Sequence, residues 1–246
     1  GYIKGGKCDR SAEQTRLAGE ALGRYHALLA NAHDHLGAMG RSIGEPLTGV
    51  YHDDLRIRRA LSRLPQTLDA PGGDELAARL GTLYEKASAR ARDALQDVEI
   101  QIVHGDWHPG NLIYRDGAIA AVLDHEAAGM APAMLDIANG ALQFSLQGTG
   151  MDFRQWPTPP DAERLSSFMA GVHGGRALIG VPGVGQQALG ALPWLMTEAI
   201  IAEAAVPIAA TGAFHGRDPS PFLRMVARKA QWLSDHATDV LSSAKP

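Results

Sequence analysis

The chain has 246 residues, 45% of them hydrophobic and 20% charged, with 23 basic against 27 acidic side chains and a formal net charge of −4. The apolar content excludes a disordered chain, and the mild acidity argues against a nucleic-acid partner. The length allows one large domain or two small ones, either with a real core. One cysteine, Cys8, excludes a disulfide framework and a cysteine-clustered metal site, and fits a reducing, cytoplasmic compartment. The uncharged run from Ala177 to Thr197 carries Pro182, Pro193 and four glycines, which is not the pattern of a membrane span.

The opening Tyr2-Ile3-Lys4-Gly5-Gly6 reads like the end of a strand running into a turn, which raises the expectation of a segment upstream. Alanine supplies 40 residues, so a helical majority is expected. Ser11 and Gln14 have capping-box spacing ahead of a first helix with apolar residues at Leu17, Ala18, Ala21, Leu22, Tyr25, Leu28, Leu29 and Ala32, closed by Gly37 and Gly40. A shorter helix follows Asp53-Asp54 and is stopped by Pro65. Asp74 caps a third, with a stripe of Leu76, Leu80, Leu83, Ala87, Ala91 and Leu95. The period then changes. Ile100 to Val103 form a short strand, and Leu112–Tyr114 and Ile119–Leu123 form a hairpin turned by Arg115-Asp116-Gly117. Helices resume near 134–146, 161–179, 191–210 and 220–242, separated by Gly and Pro clusters. Strands do not alternate with helices, so the expected class is α+β and predominantly helical, with a small central β-hairpin region.

That region carries the chemistry. Ile102-Val103-His104-Gly105-Asp106-Trp107-His108-Pro109-Gly110-Asn111 brings two polar groups around a forced turn, and Val122-Leu123-Asp124-His125-Glu126 delivers a third from the neighbouring strand. Three hard oxygen ligands at one end of a hairpin suit Mg²⁺ held against phosphate oxygens. Asp-x-x-x-x-Asn is also the spacing by which kinase catalytic loops combine a base with a metal ligand.

These segments, followed by Leu135-Asp136-Ile137-Ala138-Asn139, resemble the aminoglycoside phosphotransferase and choline kinase-like family, which includes homoserine kinases and has a protein-kinase-like fold. The resemblance implies a C-terminal lobe of that fold using ATP and Mg²⁺, with a small-molecule hydroxyl as acceptor. It implies Asp106 as the base and Asn111 and Asp124 as metal ligands. Ile113, Leu123 and Ile3 would lie beneath the nucleotide base. His104, Asp136 and Glu126 would support the loop. His125 departs from the family, which more often has Trp or Phe there. Kinases of this shape also need a lobe with a glycine-rich loop and a strand lysine. Here Lys4 and Lys7 are the only lysines ahead of the first helix, and Tyr2–Gly6 resembles the hinge between lobes. The expectation is a single domain over 1–246, with residues 1–7 as hinge remnant, whose partner is the missing N-terminal lobe and which alone transfers phosphate poorly or not at all.

Blander readings compete. Asp-Trp-His-Pro-Gly-Asn alone is also an ordinary polar turn. The whole chain could be a non-catalytic kinase-like module that binds a nucleotide or partner. Gly105-Asp106-Trp107-His108 mimics the start of metallophosphoesterases, but the further segments that class needs are missing. Gly183-Val184-Gly185-Gln186-Gln187-Ala188 matches a dinucleotide fingerprint, but Pro182 interrupts the strand it needs. Arg56, Arg58, Arg59 and Arg63 read as a solvated helix face, and Trp156, Trp194, Trp232 and Phe222 as core. Glu198 and Glu203 are candidates to receive a substrate amine.

Overall fold

The computed structural model describes residues 3–30, 54–68 and 71–245. Three helices come first: α1 (Ala12–Leu29), α2 (Asp54–Thr67) and α3 (Gly73–Leu95). A short β region follows, with β1 (Ile100–Val103), a 3₁₀ turn at Pro109–Asn111, β2 (Leu112–Arg115), β3 (Ala118–Val122) and β4 (Gly129–Pro132). The rest is helical: α4 (Met134–Ser145), α5 (Ala162–Leu178), the single turn α6 (Gln186–Leu189), α7 (Leu192–Thr211), α8 (Ser220–Asp235) and α9 (Ala237–Ser243).

Several boundaries differ from the sequence reading for local reasons. Pro65 lies inside α2, two residues before its end, where little of the backbone ladder remains to be lost. Gly72, at φ 79°, occupies the N-cap of α3, so Asp74 sits in the first turn and meets the positive end of the helix dipole instead of capping it. Ser11 does cap α1, accepting from the Gln14 N–H, but the Gln14 side chain reaches past it to the Asp9 N–H. The expected single helix over 220–242 is two, parted at His236. The expected closure of the first helix at Gly37 and Gly40, and the Asp53 half of the acidic pair, lie outside the described residues.

The β region is two antiparallel pairs, β1 with β4 and β2 with β3, and β4 went unread because Gly-Met-Ala-Pro carries no strand pattern. Asp116 and Gly117 both have positive φ, the geometry that the right-handed twist of a two-residue hairpin favours. The register shifts by one residue between Ile113 and Tyr114, leaving Ala120 as a bulge. Gly6 bridges to Tyr114 through two backbone hydrogen bonds of 2.7 and 3.0 Å, so the opening segment adds to the hairpin's edge.

Helices α1 and α5 run side by side in the same direction. Gly19 and Gly23 face the carbonyl oxygens of Phe168 and Val172, while Gly171 and Gly175 face those of Arg16 and Glu20. A Cβ at any of the four would stand 2.0–2.3 Å from a backbone oxygen, which cannot rotate away as a side chain could. Gly19→Ala combined with Gly171→Ala should therefore lower stability by about 3 kcal/mol, read by urea denaturation. Helix α7 is apolar and long enough to cross a membrane by composition, but 72% of its most apolar window is buried, as in a core helix.

Candidate active site

Strand β1 ends at Val103, and the turn that begins at His104 is held from below. Asp136, in the first turn of α4 and 1% exposed, accepts the backbone N–H of His104 at 2.6 Å and of Gly105 at 2.8 Å. Its Oδ2 also meets the buried His26 Nε2 of α1 at 2.9 Å. Gly105 has φ 81°, and a Cβ there would lie 2.2 Å from the Ala127 carbonyl oxygen, so glycine is required both by conformation and by space.

His104 works from its ring as well. Its Nδ1 accepts the Asp106 N–H at 3.3 Å, which leaves the proton on Nε2 to be donated to the Leu123 carbonyl at 2.9 Å. That second bond reaches Leu123, one residue past the end of β3 and just before Asp124. The Leu123 N–H donates to the Asn111 carbonyl at 2.8 Å, so the two segments of the motif are stitched together on both sides of Leu123. Asp124 then takes a left-handed φ of 57°, a conformation aspartate tolerates better than most residues.

Asp106 is 42% exposed along its side chain and is held by two neighbours. Asn111 donates its amide to the Asp106 backbone carbonyl at 2.9 Å and to the carboxylate at 3.1 Å. His108 Nε2 lies 3.3 Å from the same carboxylate oxygen, while its Nδ1 accepts the Gly110 N–H at 2.9 Å. His108 and then Asn111 hold the Asp106 carboxyl below the usual carboxylate range against the opposing effect of burial. The same contact holds His108 above the ordinary histidine value, with Glu203 and Asp124 adding to it.

The donor set fits a hard divalent cation. Asn111 commits its amide hydrogens to Asp106, so its oxygen is the atom left to meet a metal, and Asp124 is an exposed carboxylate on the adjoining strand end. Among the described residues no group of three or more His, Cys, Asp or Glu is placed to hold a metal ion. His125 instead packs as an aromatic ring, stacked on Tyr25 at 13° and 4.9 Å from the His104 ring.

The other expected site residues divide. Ile113 is half-buried on β2 with Gly5 pressed against it, Leu123 is 39% exposed and Ile3 42%. Glu126 is exposed, two residues beyond Asp124. Beside Asp106 opens a cleft of about 610 Å³ lined by Arg56 and Ile57 of α2, Gly105, His108, Gln143 of α4, and Glu203 and Val206 of α7. Gln143 donates to Glu203 across it. Glu198 is fully buried and lines no part of it, which separates the two acids the sequence had left equal. Arg56, Arg59 and Arg63 are exposed, as on a solvated face, while Arg58 is half-buried and pairs with Asp54 and Glu85. The glycines before Gln186 precede a helical turn and follow no strand.

His26, Gln143 and the α2 wall were missed. His26 had one usable signal: an imidazole on the buried stripe of α1, four residues after Leu22, needs a polar partner. Gln143 and Arg56 lie on unremarkable helices and become site residues only through packing.

Comparison with solved structures places this architecture among protein-kinase-like phosphotransferases. Choline kinase from Cryptosporidium parvum Iowa II superposes with a TM-score of 0.61 at 14% identity, covering 97% of this chain and 70% of that one. A choline/ethanolamine kinase family protein from Mesorhizobium loti gives 0.56 at 13% identity, covering 99% and 72%. Aminoglycoside phosphotransferase from Alicyclobacillus acidocaldarius gives 0.55 at 14% identity, covering 97% and 70%. A search of curated protein sequences finds no match. The profile of the phosphotransferase enzyme family (APH) matches residues 1–178, and the chain belongs to that family.

Proposed function

We propose that this chain is the catalytic lobe of an ATP- and Mg²⁺-dependent phosphotransferase acting on the hydroxyl of a small molecule such as an aminoglycoside, amino alcohol, sugar or amino acid. The observation that carries this reading is Asp106, an ionised, half-exposed carboxylate tied to Asn111 at the wall of a cleft large enough for such an acceptor. An aliphatic hydroxyl is a weak nucleophile. Asp106 accepts its hydrogen bond, aims its oxygen at the γ-phosphorus and takes its proton late, as the bond to the ADP oxygen breaks. Asn111 through its oxygen and Asp124 would hold Mg²⁺, which when bound neutralises charge on the phosphate oxygens. Asp136 and His104 keep the loop rigid, so the base stays in place through turnover.

Ile113, Leu123 and Ile3 form the apolar seat proposed for the adenine. The exposure of the last two supports a face completed by a separate nucleotide-binding lobe, and the neighbours above extend beyond this chain by more than a quarter of their length. Joining such a lobe to the chain and measuring ATP consumption over a panel of hydroxyl acceptors tests the reading. Turnover on at least one acceptor is expected, with little from the chain alone. Nucleotide binding without turnover on any acceptor would favour the non-catalytic module.

Glu203 supports an amine-bearing acceptor, as do the neighbours' names, which specify choline, ethanolamine and aminoglycosides. Glu203→Gln removes a charge-assisted contact and should raise KM for such an acceptor about tenfold with kcat nearly unchanged. Steady-state kinetics with an uncharged sugar acceptor should show no such rise.

A further inference from the structure

One buried acid takes no part in the cleft. Glu198 of α7 has 0% exposure, and neither of its carboxyl oxygens makes a hydrogen bond of normal geometry, although the Ser88 hydroxyl lies near enough to favour its charge. The groups that face it come from two helices: Asp54 and Arg58 of α2, and Tyr84, Ser88 and Arg92 of α3. Helices α4, α8 and α9 also pack on α7, and the groups that act most strongly on Glu198 come from α2 and α3. Both guanidinium groups are already engaged. Arg58 pairs with Asp54 at 2.9 Å and with Glu85, and Arg92 donates to Ser88 at 3.3 Å. Asp54 in turn accepts the Tyr84 hydroxyl at 2.7 Å. In this packing a charge on Glu198 would have no hydrogen-bonded cation, with only the through-space pull of Arg58 and Arg92 set against the charge of Asp54.

Helix α2 and the helix that carries Glu198, α7, both wall the cleft. Arg56 and Ile57 lie between Asp54 and Arg58 on α2, and Ala202 and Glu203 lie about one turn beyond Glu198 on α7. Relief of a charge on Glu198 requires Arg58 to leave Asp54, Arg92 to leave Ser88, or α2 to lift and admit water. The first and last of these move the cleft wall. We propose that Glu198 is a proton-controlled latch: while its carboxyl is neutral α2 lies closed on α7, and its ionisation loosens α2 and opens the wall of the cleft.

Burial, and then the Asp54 charge, push the carboxyl up to about 8 against the pull of the Ser88 hydroxyl and the two arginines. A glutamate in the unfolded chain titrates at its ordinary value of 4.5. Between that value and about 8 the folded state holds a proton the unfolded state has lost, so the packing weakens as pH rises through this window and levels off above it.

Native-state trypsin cleavage within α2, after Arg56, Arg58, Arg59 or Arg63, mapped by mass spectrometry and corrected for trypsin's own pH dependence, tests the latch. From about pH 7 to about pH 8.5 the wild-type rate should rise about eightfold, following the ionised fraction of a carboxyl that titrates near 8. Glu198→Gln should abolish the rise. Asp54→Asn, which removes the like charge and releases Arg58, should move the midpoint to lower pH. A rise of equal size in Glu198→Gln, or none in the wild type, overturns the proposal. If Glu198→Gln does not fold, an unmoved midpoint in Asp54→Asn overturns it. No turnover enters the readout, so the result stands apart from the phosphotransfer reading.

Discussion

Replacing Asp106 with alanine, in the chain joined to a nucleotide-binding lobe, should lower kcat by about 10²–10⁴-fold, or about 3–5 kcal/mol of transition-state stabilisation. The reason lies in how the carboxylate is held. His108 and then Asn111 keep it ionised and below the ordinary carboxylate range, so it is a poor proton sink before the reaction and serves first to orient the acceptor hydroxyl. In a loose phosphoryl-transfer transition state the acceptor proton becomes acidic only late, which is when a weak, well-placed base is effective. The acceptor KM should change less than kcat, because the remaining cleft contacts, Gln143 and Glu203 among them, are untouched. Asp106→Asn should lie close to Asp106→Ala in rate, since an amide orients a hydroxyl but does not take its proton. Rapid-quench single-turnover measurements separate this chemical step from product release. A kcat within a factor of about three of the wild type would remove Asp106 from the role of base.

Much of this arrangement is legible from the residues alone, because the loop is local. Asp106 to Asn111 spans six positions with Pro109 and Gly110 forcing the turn, and the bond from Asn111 to Asp106 follows from that spacing. Asp124 is reached through a hairpin whose Asp116-Gly117 turn names its own geometry. Contacts that depend on how distant helices pack were not legible. His26 and Asp136 are 110 positions apart, and nothing in either segment announces the other. The cleft's far wall comes from α2, α4 and α7, whose local sequences contain only helical stripes.

The fold shows the same division. Helices with a one-sided apolar face, such as α3, were found to within a few residues, since burial of Leu76, Leu80, Leu83, Ala87, Ala91 and Leu95 is what the stripe encodes. Strand β4 has no such stripe and exists only because β1 offers it a ladder. The close approach of α1 and α5 rests on glycines that in sequence are merely poor helix formers, and their placement four apart on both helices acquires meaning only from the facing carbonyl oxygens.

Asp136 concentrates the cost of losing one side chain more than any other residue near the site. It satisfies two backbone N–H groups of the loop and the ring of His26, all of them buried. Asp136→Ala leaves three donors facing a void that their surroundings cannot fill, and should destabilise the fold by about 3–5 kcal/mol by urea denaturation. Asp136→Asn keeps one acceptor oxygen and should recover part of that loss, whereas an isosteric leucine should not. His26→Ala in the same background separates the contributions: if the histidine and the aspartate act as one unit, the double variant costs clearly less than the sum of the singles. Catalysis should fall along with stability, because His104 and Gly105 would no longer fix the backbone from which Asp106 projects. Strict additivity of the two substitutions would mean that α1 holds the loop by packing alone, without the hydrogen bond from His26.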